Sequence, residues 1–153
     1  MVLLDTNIFV IDRFFPGDSH YEANKKFIKE LPQLKAGFSI FSLLELAGIA
    51  SFNLSAAELQ KWLLDFGSVY PIRILDPYDL QIDSVKEWYM KFLRELMAKT
   101  ALKMTFGDAV LLREAEGYQV EYIISWNKKH FNERTTIPVI NPEEFLNNSP
   151  SLA

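Results

Sequence analysis

The sequence contains no cysteine and only two histidines among its 153 residues. The absence of cysteine excludes disulfide frameworks, thiolate zinc sites and cysteine nucleophiles, and it fits a reducing compartment. His20 and His130 are far apart in the chain, and their spacing matches no zinc motif. A metal bound by this chain would therefore depend on oxygen ligands, which favours hard cations.

Long apolar runs and an excess of positive charge are also absent. No stretch is apolar for long enough to span a membrane, and Met1–Leu4 leads directly into a polar residue without the basic and apolar regions of a signal peptide. We therefore expect a cytoplasmic protein that does not associate with membranes. The formal net charge is −4 at pH 7, so any contact with nucleic acid would depend on a local basic patch.

Apolar and aromatic side chains are plentiful, at 49% and 14% of the sequence respectively. A chain of this length and composition can form one sizeable hydrophobic core, but it has too few apolar residues to form a second. The sequence thus predicts one domain over residues 1–147, with a flexible C-terminal tail over residues 148–153.

Short apolar runs alternate with segments of helical spacing. The predicted strands are Met1–Leu4, Ala36–Ile40, Tyr70–Leu75, Tyr122–Ser125 and an edge strand at Val139 and Ile140. The predicted helices are Asp18–Leu34 with Asp18 or Ser19 as cap, a segment opening with Ser42–Glu45, Ser55–Gly67, a long helix from near Tyr78, and Thr105–Gly117, before a last turn at Glu143–Leu146. This alternation predicts one doubly wound α/β unit with a mainly parallel sheet.

Three carboxylates and one amide follow the predicted strands or open the predicted helices. They are Asp5, Glu45, Asp108 and Asn127. In an open parallel sheet, the functional crevice lies beyond the carboxyl ends of the strands, so we expect these side chains to converge. Converging carboxylates raise one another's pKa and oppose folding unless a cation neutralises them, which indicates a metal site.

Each position, taken singly, also has an ordinary structural explanation. Glu45 could complete a capping box with Ser42, and Asp108 could do the same with Thr105. Asn127 is a natural helix cap or turn residue. For any one of them alone the structural interpretation is preferred, and it is the combination that favours a functional site.

Four motifs in this order and placement resemble the PIN-domain family, specifically the VapC-like toxins of bacterial and archaeal toxin–antitoxin pairs. The motifs are Asp5-Thr6-Asn7, Glu45 in Ser42-Leu43-Leu44-Glu45, Gly107-Asp108-Ala109, and the run Ser125–Phe131. The resemblance spans nearly the whole chain. It implies a three-layer α/β/α sandwich with a central, mainly parallel sheet and an acidic pocket that holds Mg²⁺ or Mn²⁺ for phosphodiester hydrolysis.

The resemblance also assigns roles to the acidic residues of this sequence. Asp5, Glu45 and Asp108 would be the metal ligands, and together with Asn127 they would form the catalytic set. Many PIN enzymes have Asp at the position of Asn127, and an amide offers a carbonyl oxygen without negative charge, so we expect one firmly held ion. Thr6 and Ser125 are candidates to support these ligands.

The function that follows from the resemblance is a metal-dependent endoribonuclease. We expect an RNA substrate, single-stranded or looped, together with a small antitoxin protein that inserts into the active-site groove and a homodimer formed through helices. Six basic residues are candidates for substrate contacts or for solvated helix faces: Lys99, Lys103, Arg113, Lys128, Lys129 and Arg134. Trp126 would stack on an unpaired base or cover the sheet edge, and His130 is expected to pack beside Phe131.

Two other functions compete with the ribonuclease. A non-catalytic PIN-like module that binds RNA or protein would keep the fold and lose the chemistry, and the amide at Asn127 keeps this alternative open. A magnesium-dependent phosphatase would need a second Asp two residues after its aspartyl nucleophile, but position 7 of this chain is Asn. The phosphatase is therefore disfavoured.

Overall fold

The computed structural model describes residues 1–81 and 84–148. Within these residues, five strands form one sheet: β1 (Val2–Leu4), β2 (Ala36–Ser39), β3 (Arg73–Leu75), β4 (Tyr122–Ile124) and β5 (Val139–Ile140). The predicted flexible tail lies outside the described residues except for Asn148, which ends the last helix. The apolar runs that predict strands thus all contribute to a single sheet.

The strand order in the sheet is β3-β2-β1-β4-β5, and all neighbouring strands are parallel. Val2 of β1 pairs with Ala36 on one side and with Tyr122 on the other. The chain first winds outward from β1 to β3 and then crosses back to the other side of β1. The direction of winding therefore reverses between β1 and β4, where open α/β sheets form their ligand-binding crevice.

The described residues also form seven α-helices, of which the first six lie between strands and the last follows β5. They are α1 (Thr6–Phe14), α2 (Tyr21–Glu30), α3 (Ile40–Ala50), α4 (Ala56–Val69), α5 (Val85–Thr100), α6 (Phe106–Gly117) and α7 (Pro142–Asn148), with short 3₁₀ turns at Leu31–Gln33 and Lys128–His130. Within the described part of the chain, no helix has the length and apolar character needed to cross a membrane.

Both faces of the sheet are covered by helices, as the alternation of buried side chains in β1 requires. Val2 and Leu4 pack into a cluster with Phe9 of α1 and Phe66 of α4. Leu3 points to the opposite face, where the cluster is built mainly from α5 and α6. These two hydrophobic layers confirm the predicted α/β/α sandwich.

The sequence did not predict α1, which begins directly after β1. Ile8, Phe9, Val10 and Ile11 form a continuous apolar run without a helical period, because most of this helix is enclosed. Asp5 is the N-cap residue of α1, with its side chain accepting from the Asn7 backbone N–H. The N-cap therefore fixes Asp5 between the end of the central strand and the start of the first helix.

The predicted capping box at Ser42 and Glu45 is wrong. The N-cap of α3 is Ser39, whose side chain accepts from the Phe41 backbone N–H, and the helix begins at Ile40. Two serines three residues apart offer the same capping signal, and the strand ends at the first one. The side chain of Glu45 is therefore not used in a cap.

Other predicted boundaries differ by a few residues. The first residue of α2 is Tyr21 and its N-cap position is occupied by His20 without a side-chain cap, so neither predicted cap is used. The capping box of α4 is formed as predicted, but Gly67 does not end this helix. The N-cap of α5 is Ser84, and Tyr78 lies in a preceding turn.

Candidate active site

A cavity of about 270 Å³ opens at the carboxyl ends of β1 and β4, where the winding of the sheet reverses. Its lining includes all four residues of the predicted catalytic set, Asp5, Glu45, Asp108 and Asn127. They come from the end of β1, from α3, from α6 and from the segment after β4. The tertiary structure therefore gathers residues that lie far apart in the sequence.

Asp5 is the most enclosed acidic group of this cavity. Its Oδ2 accepts hydrogen bonds from the Ser125 hydroxyl and from Asn7 Nδ2, the latter at 2.7 Å. Burial raises the pKa of Asp5 to about 6; the hydrogen bond from Ser125 works against this shift, and the negative charges of Asp108 and Glu45 add to it. A nearby cation would stabilise the ionised form of a carboxylate buried in this way.

Glu45 lies on α3 with its two carboxylate oxygens in different surroundings. Oε2 accepts a hydrogen bond of 2.6 Å from the Thr6 hydroxyl, which ties α3 to the start of α1. Oε1 lies against Gly107, where a Cβ atom would stand only 2.6 Å from this oxygen. The glycine therefore lets the Glu45 carboxylate approach the first turn of α6.

Asp108 lies in the first turn of α6, whose N-cap is Thr105. The Thr105 hydroxyl accepts from the Asp108 backbone N–H at 3.2 Å and donates to Asp108 Oδ2 at 2.7 Å. Thr105 is thus the N-cap, but the predicted capping box is not formed, because the Asp108 side chain accepts from the Thr105 hydroxyl and not from its backbone N–H. This arrangement does not exclude a functional role for Asp108, because the same carboxylate lines the cavity.

His130, which was expected to pack beside Phe131, also lines the cavity. It lines the wall together with Asn127, and its Nδ1 lies 3.2 Å from Asp108 Oδ2. Residues three apart in a 3₁₀ turn lie on the same side of that turn. The spacing of Asn127 and His130 in the Lys128–His130 turn was the sequence signal that could have placed both side chains at one surface.

Asn7 connects the ends of the two central strands, a role that the sequence did not reveal. Its Nδ2 donates to Asp5 and, at 3.1 Å, to the Ser125 hydroxyl, while its Oδ1 accepts from the Trp126 backbone N–H at 3.3 Å. The Asn127 backbone N–H also donates to the Ser125 hydroxyl at 3.0 Å. These bonds hold the segment after β4 in register with the end of β1.

The donor set of the cavity is suited to Mg²⁺ or Mn²⁺ in ligand type. Asp5, Glu45 and Asp108 offer carboxylate oxygens, the ligands that hard cations prefer, and such ions keep several waters as further ligands. In the described residues, no three acidic or histidine side chains are drawn together closely enough to form a ready-made metal site. Each carboxylate instead accepts from a neighbouring protein hydroxyl.

Arg113, one of the predicted substrate contacts, is buried and cannot reach RNA. Only 2% of its surface is exposed, and its guanidinium donates to Asp79, Glu95 and Glu114. Burial raises the pKa of the Glu114 carboxyl, and the contact with Arg113 works against that shift. This ion network links α5 to α6. Because Arg113 is buried within it, the prediction that this residue contacts the substrate is wrong.

The other predicted cations have varied surroundings. Lys99 and Lys128 form ion pairs with glutamates. Arg134 donates to two backbone carbonyls, those of Leu102 and His130, and thereby links the turn before α6 to the 3₁₀ turn beside the cavity. Lys103 and Lys129 are exposed.

Comparison with family models and with curated proteins gives no match for this sequence. Solved structures do match it. FitAcB from Neisseria gonorrhoeae is 18% identical with a TM-score of 0.63, covering 93% of this chain and 98% of that one. VapBC2 from Rickettsia felis, bound to a DNA fragment from its promoter, is 22% identical with a TM-score of 0.59, covering 92% and 98%.

A third similar structure is that of VapC20 from Mycobacterium tuberculosis, described as a toxin that cleaves the sarcin–ricin loop. It is 12% identical with a TM-score of 0.53, covering 80% of this chain and 87% of that one. At these levels of identity the similarity establishes the fold. The chain therefore has the PIN-like α/β/α fold of these structures, as the sequence motifs predicted.

Proposed function

We propose that this chain, which folds as VapC-like PIN structures do, is a metal-dependent endoribonuclease that hydrolyses RNA phosphodiester bonds and serves as the toxin of a toxin–antitoxin pair. The observation that carries the proposal is the meeting of Asp5, Glu45 and Asp108 around one cavity at the reversal point of the sheet. The raised pKa of Asp5 supports the proposal, because a bound cation would stabilise the ionised form of a buried carboxylate that lies among like charges. The toxin assignment rests on the similarity to a solved toxin–antitoxin complex and to the toxin VapC20.

The proposed metal ligands are Asp5, Glu45 and Asp108. When bound, Mg²⁺ or Mn²⁺ would supply a polarised phosphoryl oxygen and a coordinated water of lowered pKa. Asp5 and Asp108 would hold the ion most directly, since both lie at element ends that fix their backbone. Glu45 would complete the coordination or orient the attacking water. Asn127 adds an amide without charge, which is consistent with one firmly held ion.

The surrounding polar residues would keep these ligands in position. The Thr6 hydroxyl fixes one oxygen of Glu45, and the Ser125 hydroxyl fixes one oxygen of Asp5. Asn7 joins the Asp5 side to the segment that bears Asn127. Such supporting bonds orient metal ligands and strengthen their interaction with the ion.

The proposed substrate is single-stranded or looped RNA, whose backbone can bend into a cavity of this size. On an acidic chain, the approach of RNA depends on local cations. Lys103 lies shortly before α6, which bears Asp108, and Lys129 lies in the turn that follows Asn127; both lysines are exposed. Phosphate contacts make nucleic-acid binding weaken with rising salt. A binding constant that does not change with ionic strength would contradict this part of the proposal.

Two protein partners belong to the same proposal. A small antitoxin is expected because a similar solved structure is a toxin–antitoxin complex. A homodimer is expected because large apolar side chains on α3 and α5 are exposed, among them Leu44 at 63%, Val85 at 82% and Met97 at 70%. Sedimentation equilibrium would detect the dimer, and a strictly monomeric protein would contradict it.

The deciding experiment is cleavage of a mixed set of structured and unstructured RNAs with Mg²⁺ or Mn²⁺. Wild-type protein is compared with EDTA-treated protein and with the Asp5→Asn, Asp108→Asn double variant. A matched control is the Asp65→Asn, Asp76→Asn double variant, which removes two exposed carboxylates outside the cavity. We expect metal-dependent cutting by the wild type and the control alone. Equal cutting by all proteins, or none by any, would favour the alternative of a non-catalytic PIN-like binding module.

A further inference from the structure

Trp126 is the second residue after β4 and precedes the cavity residue Asn127, and its orientation is fixed at two points. Its backbone N–H donates to Asn7 Oδ1, and its indole Nε1 donates to Asn24 Oδ1 at 2.9 Å. Asn24 is itself buried and donates to the Ile8 carbonyl at 2.9 Å. The indole plane is thus held rigidly beside the candidate active site.

One face of this indole is covered by the imidazole of His20. The two rings are stacked with centroids 4.2 Å apart and an interplanar angle of 14°. His20 is exposed, and in residues 1–81 and 84–148 no hydrogen bond or ion pair holds its ring. The imidazole is therefore held by its contact with Trp126 and can be displaced by a stronger stacking partner.

We propose that Trp126 is a stacking platform for one unpaired base of the RNA substrate, and that His20 covers this platform until the RNA displaces it. The inference rests on the proposed ribonuclease function and adds a specific contact to it. A nucleobase presents a larger aromatic face than an imidazole, and stacking of bases on aromatic side chains tolerates any sequence. The base concerned belongs to a nucleotide adjacent to the phosphate in the cavity, because Trp126 and Asn127 are consecutive residues.

The connection between platform and cavity is what distinguishes Trp126 from the other tryptophans. Asn7 bonds both to the Trp126 backbone and to Asp5, so the ring and the acidic site share one rigid support. Trp62 is buried in the core. Trp88 is half-buried, donates its indole N–H to Asp79 and stacks on Phe92, and none of these partners is a cavity residue.

Trp88 therefore provides a matched control for Trp126. Binding of a labelled, unstructured RNA is measured by fluorescence anisotropy, with every protein carrying Asp108→Asn to prevent cutting. We expect Trp126→Ala to weaken binding by about 5-fold to 150-fold, the range that corresponds to the loss of one base stack. Trp126→Phe should retain most of the affinity, and Trp88→Ala should leave it unchanged. His20→Ala should strengthen binding, because the platform is then uncovered; weaker binding would overturn the covering role.

Abasic substitutions in the RNA test the stack itself. A single abasic nucleotide, moved along the RNA, should weaken binding to the Trp126-containing protein at one position and have no further effect on Trp126→Ala at that position. Equal sensitivity of both proteins at every position would overturn the platform. A variant with Trp62→Phe and Trp88→Phe retains Trp126 as its one tryptophan and gives a second readout. Its fluorescence should be quenched by the intact RNA and not by the RNA abasic at that position.

The outcomes separate this inference from the proposed function. If the wild type cuts RNA and Trp126→Ala has the same KM and the same abasic profile, the platform is wrong and the ribonuclease stands. If the abasic profile depends on Trp126 but no RNA is cut with Mg²⁺ or Mn²⁺, the base contact stands and the ribonuclease is wrong. Melting curves of each variant confirm that it is folded before its affinity is compared.

Discussion

Replacing Asp5 with Asn should stabilise the metal-free protein at neutral pH. Burial raises the pKa of Asp5 from its ordinary value of 3.8 to about 6, so the folded state prefers the protonated form. At pH 7 the group is ionised in both states, and the folded state must bear a charge that it accommodates poorly. An amide removes this charge while keeping nearly the same shape.

The magnitude follows from the size of the pKa change. A difference between 3.8 and about 6 corresponds to about 3 kcal/mol at about 1.4 kcal/mol per pH unit. The penalty is absent below pH 3.8, grows as the pH rises towards 6 and is constant above that. The hydrogen bonds that Asp5 accepts from Ser125 and Asn7 suit a carboxylate better than an amide. We therefore expect a net gain of about 1–2 kcal/mol at pH 7.

Urea unfolding of wild type and Asp5→Asn at several pH values between 4 and 7.5, in EDTA, measures this effect. The difference in unfolding free energy between the two proteins should move in favour of the variant by about 2–3 kcal/mol as the pH rises through that range. Asp65→Asn, which removes an exposed carboxylate from α4, is the control for the loss of one charge. A difference that is constant with pH, or that favours the wild type as the pH rises, would refute the reasoning.

Divalent cations should reverse the ranking of the two proteins. A ligand that binds the folded state stabilises it in proportion to the logarithm of its concentration, and the Asp5→Asn variant would lack the charge that attracts the ion. Mg²⁺ affinity of the wild type, measured by calorimetry, should fall by about tenfold per pH unit below pH 6, because the Asp5 carboxyl must lose its proton before binding. A pH-independent affinity would contradict the assignment of Asp5 as a ligand.

Two further substitutions test individual contacts. Gly107→Ala should lower kcat/KM for RNA cleavage by about 100-fold, because the new methyl group would displace the Glu45 carboxylate. The loss of stability should be small, since that carboxylate is the end of a flexible side chain. The control is Gly48→Ala, which has open space around it and should leave cleavage unchanged. Cleavage that survives in Gly107→Ala would contradict the placement of Glu45. Arg113→Met should lower the free energy of unfolding by about 3–5 kcal/mol, since it removes the cation that pairs with the buried Glu114 carboxylate. The exposed Arg94→Met should change it by less than about 0.5 kcal/mol. Urea unfolding measures both, and similar values for the two arginine variants would disprove the structural role of the ion network.

Several features of the site could be predicted because they follow from strand position. Asp5 and Asn127 come after strands of strong apolar character, and Asp108 has a clear N-cap three residues before it. Parallel strands bring their carboxyl ends to one edge, so residues at those ends meet without any detailed knowledge of packing. Glu45 was placed in the cavity correctly, although the capping box that helped to locate it does not exist.

Other features could not be predicted because they depend on what packs against them. The helix after Asp5 was missed because it is buried on most sides. A helix buried in this way has no polar face, and its sequence therefore lacks the helical spacing of apolar residues that predicts a helix. Arg113 was predicted as a substrate contact because its charge suggests exposure. Only the packing of α5 against α6 shows that the guanidinium is buried among acidic partners.

The sequence by itself determined the fold class, the mainly parallel sheet and four of the residues that line its crevice, because these depend on periodicity, on the alternation of strands and helices and on short local signals. The tertiary structure alone decided the surroundings of each side chain: the hydroxyl that holds Glu45, the burial that raises the pKa of Asp5, the approach of His130 to Asp108 and the stack of His20 on Trp126. Such contacts join residues far apart in the chain. Their distances depend on how whole helices pack, and no local pattern in the sequence encodes that packing.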